Sequence, residues 1–519
     1  MPLCPPPSTH SSQKPSIRTP ANGSRLRAIF PRPSKFSRNR VAFNSFEYLF
    51  LLGASFFLYW MLRHRGASRL WVLLLASYAF YAAWNGYYLL LIIASTLIDY
   101  CAGQLIFDND SMPRFRKAML VISVGSNLAV LGFFKYGQFT VDNAVALLAF
   151  SGFDIEAPAL RILLPVGISF YTFQSMSYTF DIYLRRIKPV ERARDFFLFV
   201  AFFPQLVAGP IVRASELLPQ FGNKQTLSRD DFGDGAWRIL RGLIKKMVIA
   251  DYLAATVVDP VFNMPHLFGS LELFIALWGF LAQIYCDFSG YTDIALGSAR
   301  LFGFRLPENF DMPFASSTPA AFWRRWHMTL TRFAFDYLYL PLGGNRRGEA
   351  KTVRNVLLTF AAIGLWHGAE WKFVFFGLYH AVGVIGSRYM LKAAASVTGK
   401  KWEEVESFLT RLVVPVLLTN LFVVFSMPLF RADDLNLAWT IYKGIFSFEG
   451  FSLGFTALAL VVLTTATLMH FLPEDWEQKG VGRFAKLNPA LQGAFITMLA
   501  LGIAQAAAFA RKSFIYFQF

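Results

Sequence analysis

Charge is what this chain has least of. Only 16% of its residues are Asp, Glu, Lys or Arg, too few to clothe 519 residues in a solvated surface, which argues against a soluble fold. Cysteine is scarcer still: Cys4, Cys101 and Cys286. Two of these thiols lie in apolar runs and read as core residues, so there is neither a disulfide framework nor a Cys/His metal cluster to build on. Acidic residues are missing altogether from 1–40, where Lys14, Arg18, Arg25, Arg27, Arg32, Lys35, Arg38 and Arg40 stand among Pro and Ser. Such a tail cannot bury a core and is expected to be disordered. It also lacks the apolar stretch of a secretory signal. Repeat symmetry between halves is absent too, and with it the usual signature of a transporter.

What the chain has is apolar length. It is 55% hydrophobic, and Phe alone supplies 56 residues. Runs of about 17–22 residues recur, the length that crosses a hydrocarbon core of roughly 30 Å. They fall near 46–62, 69–83, 86–103, 118–134, 160–182, 195–209, 271–287, 355–371, 372–390, 412–430, 454–471 and 490–509. Some are short or interrupted by Gly and Pro, so the expected fold is all-α: a polytopic transmembrane helical bundle of about 11–12 membrane segments, some re-entrant.

The net charge of +17 sits between those runs. Its clusters include Arg63, Arg65 and Arg69; Arg114, Arg116 and Lys117; and Arg346, Arg347, Lys351 and Arg354. These read as positive-inside topology markers rather than nucleic-acid patches, and no nucleic-acid partner is expected. The tail conflicts with that rule. If Arg63 to Arg69 lie inside, the first helix starts outside and brings the basic tail with it. A translation start at Val41 would remove the conflict; peptides from 1–40 in the natural protein would exclude it. The division expected is therefore a 1–40 tail, outside the native chain if translation starts at Val41, and a membrane domain over 41–519.

A charged side chain at a helix centre costs roughly 2.5–3.5 kcal/mol on insertion scales, so polar residues inside apolar runs call for a function by default. "CDFSGYTDIALGS" carries Asp287 and Asp293, for which the plainer alternative is pairing with a buried arginine. "FWRRWHMTL" carries Arg324, Arg325 and His327; the arginines either snorkel to headgroups or hold an anionic ligand. "GLWHGAEWKF" sets His367 between Trp366 and Gly368, with Glu370 close by. His64, His266, His380 and His470 read as structural or interfacial.

These segments, with "LLPVGISFYTFQSMSYTFDIY" (163–183), "FFPQLVAGPIVR" (202–213) and "YLPLGGNRRG" (339–348), resemble the membrane-bound O-acyltransferase family. The likeness is to the bacterial branch that includes alginate O-acetyltransferase membrane subunits and teichoic acid D-alanyl transfer proteins. It covers most of 41–510. Phe335 departs from it where relatives commonly carry a basic residue, and Ala381 where they often have Gly.

The resemblance implies a helical fold around a central tunnel, open to the cytoplasm and to the exterior. It implies His367 as the catalytic residue, with His327 as the second recurring histidine. It also implies an acyl group drawn from a cytoplasmic thioester, acetyl-CoA, with no bound cofactor and no metal. An extracytoplasmic acetyltransferase partner and a polysaccharide acceptor such as alginate complete the expectation, in the inner membrane and in contact with its lipid. Arg324, Arg325, Asp287 and Asp293 are the candidate substrate- or donor-binding residues. D-alanyl transfer and peptidoglycan O-acetylation stay open within the same chemistry, and a non-catalytic transporter outside it.

Overall fold

The computed structural model describes Phe43, residues 45–473 with a few short gaps, and isolated positions between 475 and 515. The basic tail 1–40 and most of the run 490–509 lie outside the described residues. Every described element is helical, and the described residues contain no strand. The chain is an all-α, multi-pass membrane protein. Five helices are long and apolar enough to cross a bilayer: Gly66–Asp108, Pro113–Phe150, Ser270–Leu301, Trp371–Thr398 and Val413–Arg431. Phe46–Met61 and Ala457–Phe471 are shorter apolar helices.

Several apolar runs end differently from their hydropathy. The runs 69–83 and 86–103 belong to one 43-residue helical stretch. Unbroken, it would extend ~65 Å at ~1.5 Å per residue, about twice a bilayer core. Asn85 breaks it, leaving helical space at φ −163°, ψ 114°, while its Oδ1 accepts from the Tyr87 amide at 2.9 Å. The two arms therefore correspond to the two runs. The run 195–209 forms only the nine-residue helix Ala193–Ala201, roughly 13 Å long; Pro204 follows, within a turn at 203–207. The run 160–182 becomes helical only at Ile168, after Gly167 at φ 74°. A Cβ there would meet the Leu206 carbonyl oxygen at 2.7 Å, so this turn needs both the conformational freedom and the smallness of glycine.

At the centre lies Ser270–Leu301, buried along nearly its whole length. It packs against Arg229–Leu243 through small residues: a Cβ on Gly242 would lie 2.5 Å from the Gly290 oxygen, and one on Gly297 2.5 Å from the Gly235 oxygen. Such close backbone approach lets the two helices pack at short range, where dispersion contacts are many. Polar contacts join helices as well. Asp99, fully buried, accepts from Ser123 at 2.6 Å, from Asn127 at 2.8 and 2.9 Å, and from Ser175. That network ties Gly66–Asp108 to Pro113–Leu131 and Ile168–Tyr183.

Candidate active site

Glu349–His367 and Trp371–Thr398 form a tight helical pair joined by a three-residue corner. Gly364 and Gly377 make the approach possible. A Cβ on either would fall 2.1 Å from a backbone oxygen of the other helix, Phe373 or Phe360 respectively. The corner follows directly on His367, where Gly368 becomes extended at φ −161°. His367 is 2% exposed and faces aromatic neighbours, its ring centroid 5.0 Å from Trp366, 5.1 Å from Phe430 and 5.9 Å from Phe376.

His327 approaches from another part of the chain. It sits between the short helices Pro319–Arg325 and Met328–Ala334 in the left-handed region, φ 45°, ψ 52°. A non-glycine residue held there is uncommon, and such strain gathers at functional sites. Asn309 braces the turn: its carbonyl accepts from the Met328 amide at 2.9 Å, and its Oδ1 from the Thr329 hydroxyl at 2.9 Å. The His327 ring is fully buried, 4.7 Å from Phe288 and 5.6 Å from Trp366. Neither ring nitrogen has a hydrogen-bond partner among the described residues. One indole, Trp366, thus touches both imidazoles, and Phe170 and Phe173 close around it at 5.4 and 6.0 Å.

The remaining histidines and acids divide by their partners. The His380 Nε2 bonds to Ser426 Oγ at 3.0 Å, which fits a structural histidine. Glu370 is paired with Lys372 at 3.2 Å, and Lys372 donates to the carbonyls of Ala432 and Asp433. Asp287 is salt-bridged to Lys246 at 2.6 Å and accepts from the Ile515 amide at 2.8 Å. Asp293 is held by Lys245 at 2.8 Å and by Arg241. Both acids therefore have a buried lysine as partner, and Asp293 a part-exposed arginine as well. Neither Lys245 nor Lys246 stood out in the sequence; the signal was a lysine pair, "GLIKKMVIAD", inside an apolar stretch.

The candidate arginines sit beside two cavities. The larger, about 610 Å³, is walled by Val356, Phe360, Ile363 and Trp323, with Arg324, Arg388 and Lys392 also on its lining. Arg324 is half exposed and paired with Glu406 at 2.6 Å. The indole N–H of buried Trp323 has no partner among the described residues. The smaller cavity, about 230 Å³, is polar, lined by Arg241, Lys245, Ser289, Asp293, Asp311 and His470 among others. Arg325 reaches toward its rim, 3.9 Å from Asp311. The exposed Arg346 and Arg347 line neither cavity.

A family model, membrane-bound O-acyltransferase, matches residues 192–427, the stretch that contains both histidines. The probable alginate O-acetylase AlgI of Pseudomonas aeruginosa is 36% identical over 456 residues, covering 85% of this chain and 84% of that protein. The peptidoglycan O-acetyltransferase of Helicobacter pylori is 36% identical over 412 residues, 74% of this chain and 75% of that one. The teichoic acid D-alanyltransferase of Bacillus subtilis is 27% identical over 293 residues, 54% and 71% of the two chains.

Proposed function

The chain belongs to the membrane-bound O-acyltransferase family and is an O-acyltransferase; from that premise we propose that it moves acetyl groups from acetyl-CoA to an exported polysaccharide of the alginate type. The observation that carries the catalytic assignment is the placing of His327 and His367 on one buried indole. Two distant segments bring imidazoles into an aromatic cluster buried among the helices that would be cheaper to fill with leucine.

In this reading His367 is the general base. Its imidazole takes the proton of the acceptor hydroxyl as that oxygen attacks the thioester carbonyl. The carbon–sulfur bond breaks, and the leaving thiolate receives the proton back from the imidazolium. His327, held in a strained turn across Trp366, orients the acceptor or the carbonyl. The donor arm runs through the larger cavity. Arg388 and Lys392 supply cations for its phosphates at one end, and Trp323 offers an N–H for a carbonyl within. Thr352 and Ile363, both on the cavity wall, are separated by roughly 16 Å along their helix at ~1.5 Å per residue. Ile363 lies about one helical turn before His367.

The basic residues Arg346, Arg347, Lys351 and Arg354 mark the start of that helix as cytoplasmic by the positive-inside rule. His367, at its far end, then lies toward the exterior, where an extracytoplasmic acetyltransferase partner takes over the acyl group. The setting is the inner, cytoplasmic membrane. A second reading, peptidoglycan O-acetylation, is favoured by the equal identity to the Helicobacter pylori enzyme. The test is a deletion strain complemented with the wild-type chain or with His367→Gln. Ester-linked acetate is measured separately on exopolysaccharide and on peptidoglycan. Loss from the exopolysaccharide alone supports the first reading, loss from peptidoglycan alone the second, and no loss from either refutes both.

A further inference from the structure

Lys135 is a half-buried lysine whose chemistry the reading above leaves unused. It lies within the apolar helix Pro113–Phe150, in the π-helical turn Gly132–Tyr136. Single π turns inside α-helices are frequent at functional sites. Lys245, Lys246 and Lys372 all meet carboxylates. Lys135 meets none among the described residues. Its ammonium donates instead to the backbone carbonyls of Trp366, at 2.5 Å, and His367, at 3.3 Å. It also stands 5.8 Å from the centre of the Trp366 indole. The next residue reaches the same place: Tyr136 Oη donates to the Leu365 carbonyl at 2.9 Å.

Leu365, Trp366 and His367 are the last three residues of their helix. The last four carbonyls of an α-helix have no partner within it, and in lipid an unpartnered carbonyl is costly. That end of the helix also carries the negative pole of its dipole, the natural seat for a cation. Consecutive residues of a regular α-helix point roughly 100° apart at 3.6 per turn. Here, at a π turn, two consecutive residues reach the same neighbouring helix and clamp the three carbonyls that precede the corner.

We propose that Lys135, seconded by Tyr136, is the positioning residue of the active site: it fixes the last turn of Glu349–His367 and thereby the place of the His367 imidazole. The proposal rests on the assignment of His367 as the base. A side chain without the ammonium in place of Lys135 leaves the His367 ring present but frees the Trp366 and His367 carbonyls from their clamp, and a misplacement of about 1 Å costs on the order of 10²-fold. The donor cavity is lined by other residues, so donor binding is unaffected.

The experiment is steady-state transfer from labelled acetyl-CoA to the acceptor system, in membranes that carry it together with the full-length chain, for the wild type, Lys135→Met, Lys135→Arg, Tyr136→Phe and His367→Gln. Rates are normalised to folded protein, and melting temperature is recorded alongside. Lys135→Met is expected to lower kcat about 10- to 100-fold with the KM for acetyl-CoA within about twofold of wild type. Lys135→Arg, whose guanidinium also spans two carbonyls, should recover most of that loss, and Tyr136→Phe should lose less than Lys135→Met. Normal kcat in Lys135→Met overturns the proposal. So does a loss that disappears once rates are normalised to folded protein, since that marks a purely structural lysine. A fully active His367→Gln overturns the base assignment, and the positioning role with it. An inactive His367→Gln beside an active Lys135→Met overturns the positioning role alone.

Discussion

Replacing His367 is the sharpest perturbation, and the structure decides which replacement is informative. The ring is 2% exposed and packed against Trp366, Phe430 and Phe376. His367→Ala would leave a ring-sized hole in that cluster. Large-to-small changes in well-packed cores cost roughly 2–5 kcal/mol, so lost activity would be confounded with lost protein. His367→Gln keeps most of the volume and a polar end, but removes a base able to work near neutral pH.

Loss of a positioned general base costs on the order of 10²–10⁴ in rate, about 2.7–5.4 kcal/mol of transition-state stabilisation at ~1.36 kcal/mol per decade. The measurement is transfer from labelled acetyl-CoA, at membrane levels matched by immunoblot and in membranes that also carry the acceptor system. His367→Gln should insert as the wild type does, because its helix keeps the Gly364 and Gly377 approach and the carbonyl clamp from Lys135 and Tyr136. Its turnover should fall at least a hundredfold, with the KM for acetyl-CoA changed little. Turnover within about threefold of wild type would refute the reasoning and return the buried imidazole to a packing role.

Three further outcomes follow from the same geometry. Arg388→Gln combined with Lys392→Gln should raise the KM for acetyl-CoA by about tenfold with kcat unchanged, because phosphate contacts are common to the ground and transition states; an unchanged KM would remove the donor arm from the larger cavity. Gly364→Val should push Trp371–Thr398 away, since even a Cβ falls 2.1 Å from the Phe373 oxygen, and should lower stability by about 1–3 kcal/mol or more; an unaltered melting temperature in detergent would contradict the close pairing. Lys246→Met should be among the most damaging single changes, roughly 3–5 kcal/mol, because it strands Asp287 and Asp251 without their shared cation. The triple change Lys246→Met, Asp287→Asn, Asp251→Asn should recover part of the loss, and failure of any recovery would argue that the charges act elsewhere.

The motifs that carry the family resemblance single out His327 and His367; apolar runs alone do not, since His380 and His470 also lie in such runs and His327 lies in none. The partners of the acids were not legible in the sequence. Asp293 meets Lys245 and Arg241 across 48 and 52 positions of sequence, from a stretch at 229–263 that carries no apolar run of membrane length. The pairing expected with arginine turned out to be mostly with lysine for that reason. Hydropathy also read 195–209 as one segment on the strength of its phenylalanines, although the described helix stops at Ala201, with Pro204 soon after. It separated 69–83 from 86–103 correctly, because the residues around Asn85 are polar enough to interrupt the run and are also where the helix breaks.

Lys135 shows why a charge at the edge of an apolar run is ambiguous. The run 118–134 stops one residue short of it, as any run counted by hydropathy will, and the lysine then reads as a boundary at the membrane surface. Yet the helix passes through it to Phe150, and Gln138, Asp142 and Asn143 beyond it are the first residues that could mark an interface. A lysine at a true boundary snorkels to water. This one turns inward, to carbonyls that a helix end leaves unmatched. Its position in sequence does not separate those two fates, because the acceptors it uses are backbone atoms, which every residue has and no motif records. What separates them is a second helix ending at the same depth, and that becomes visible only once Pro113–Phe150 and Glu349–His367 lie side by side.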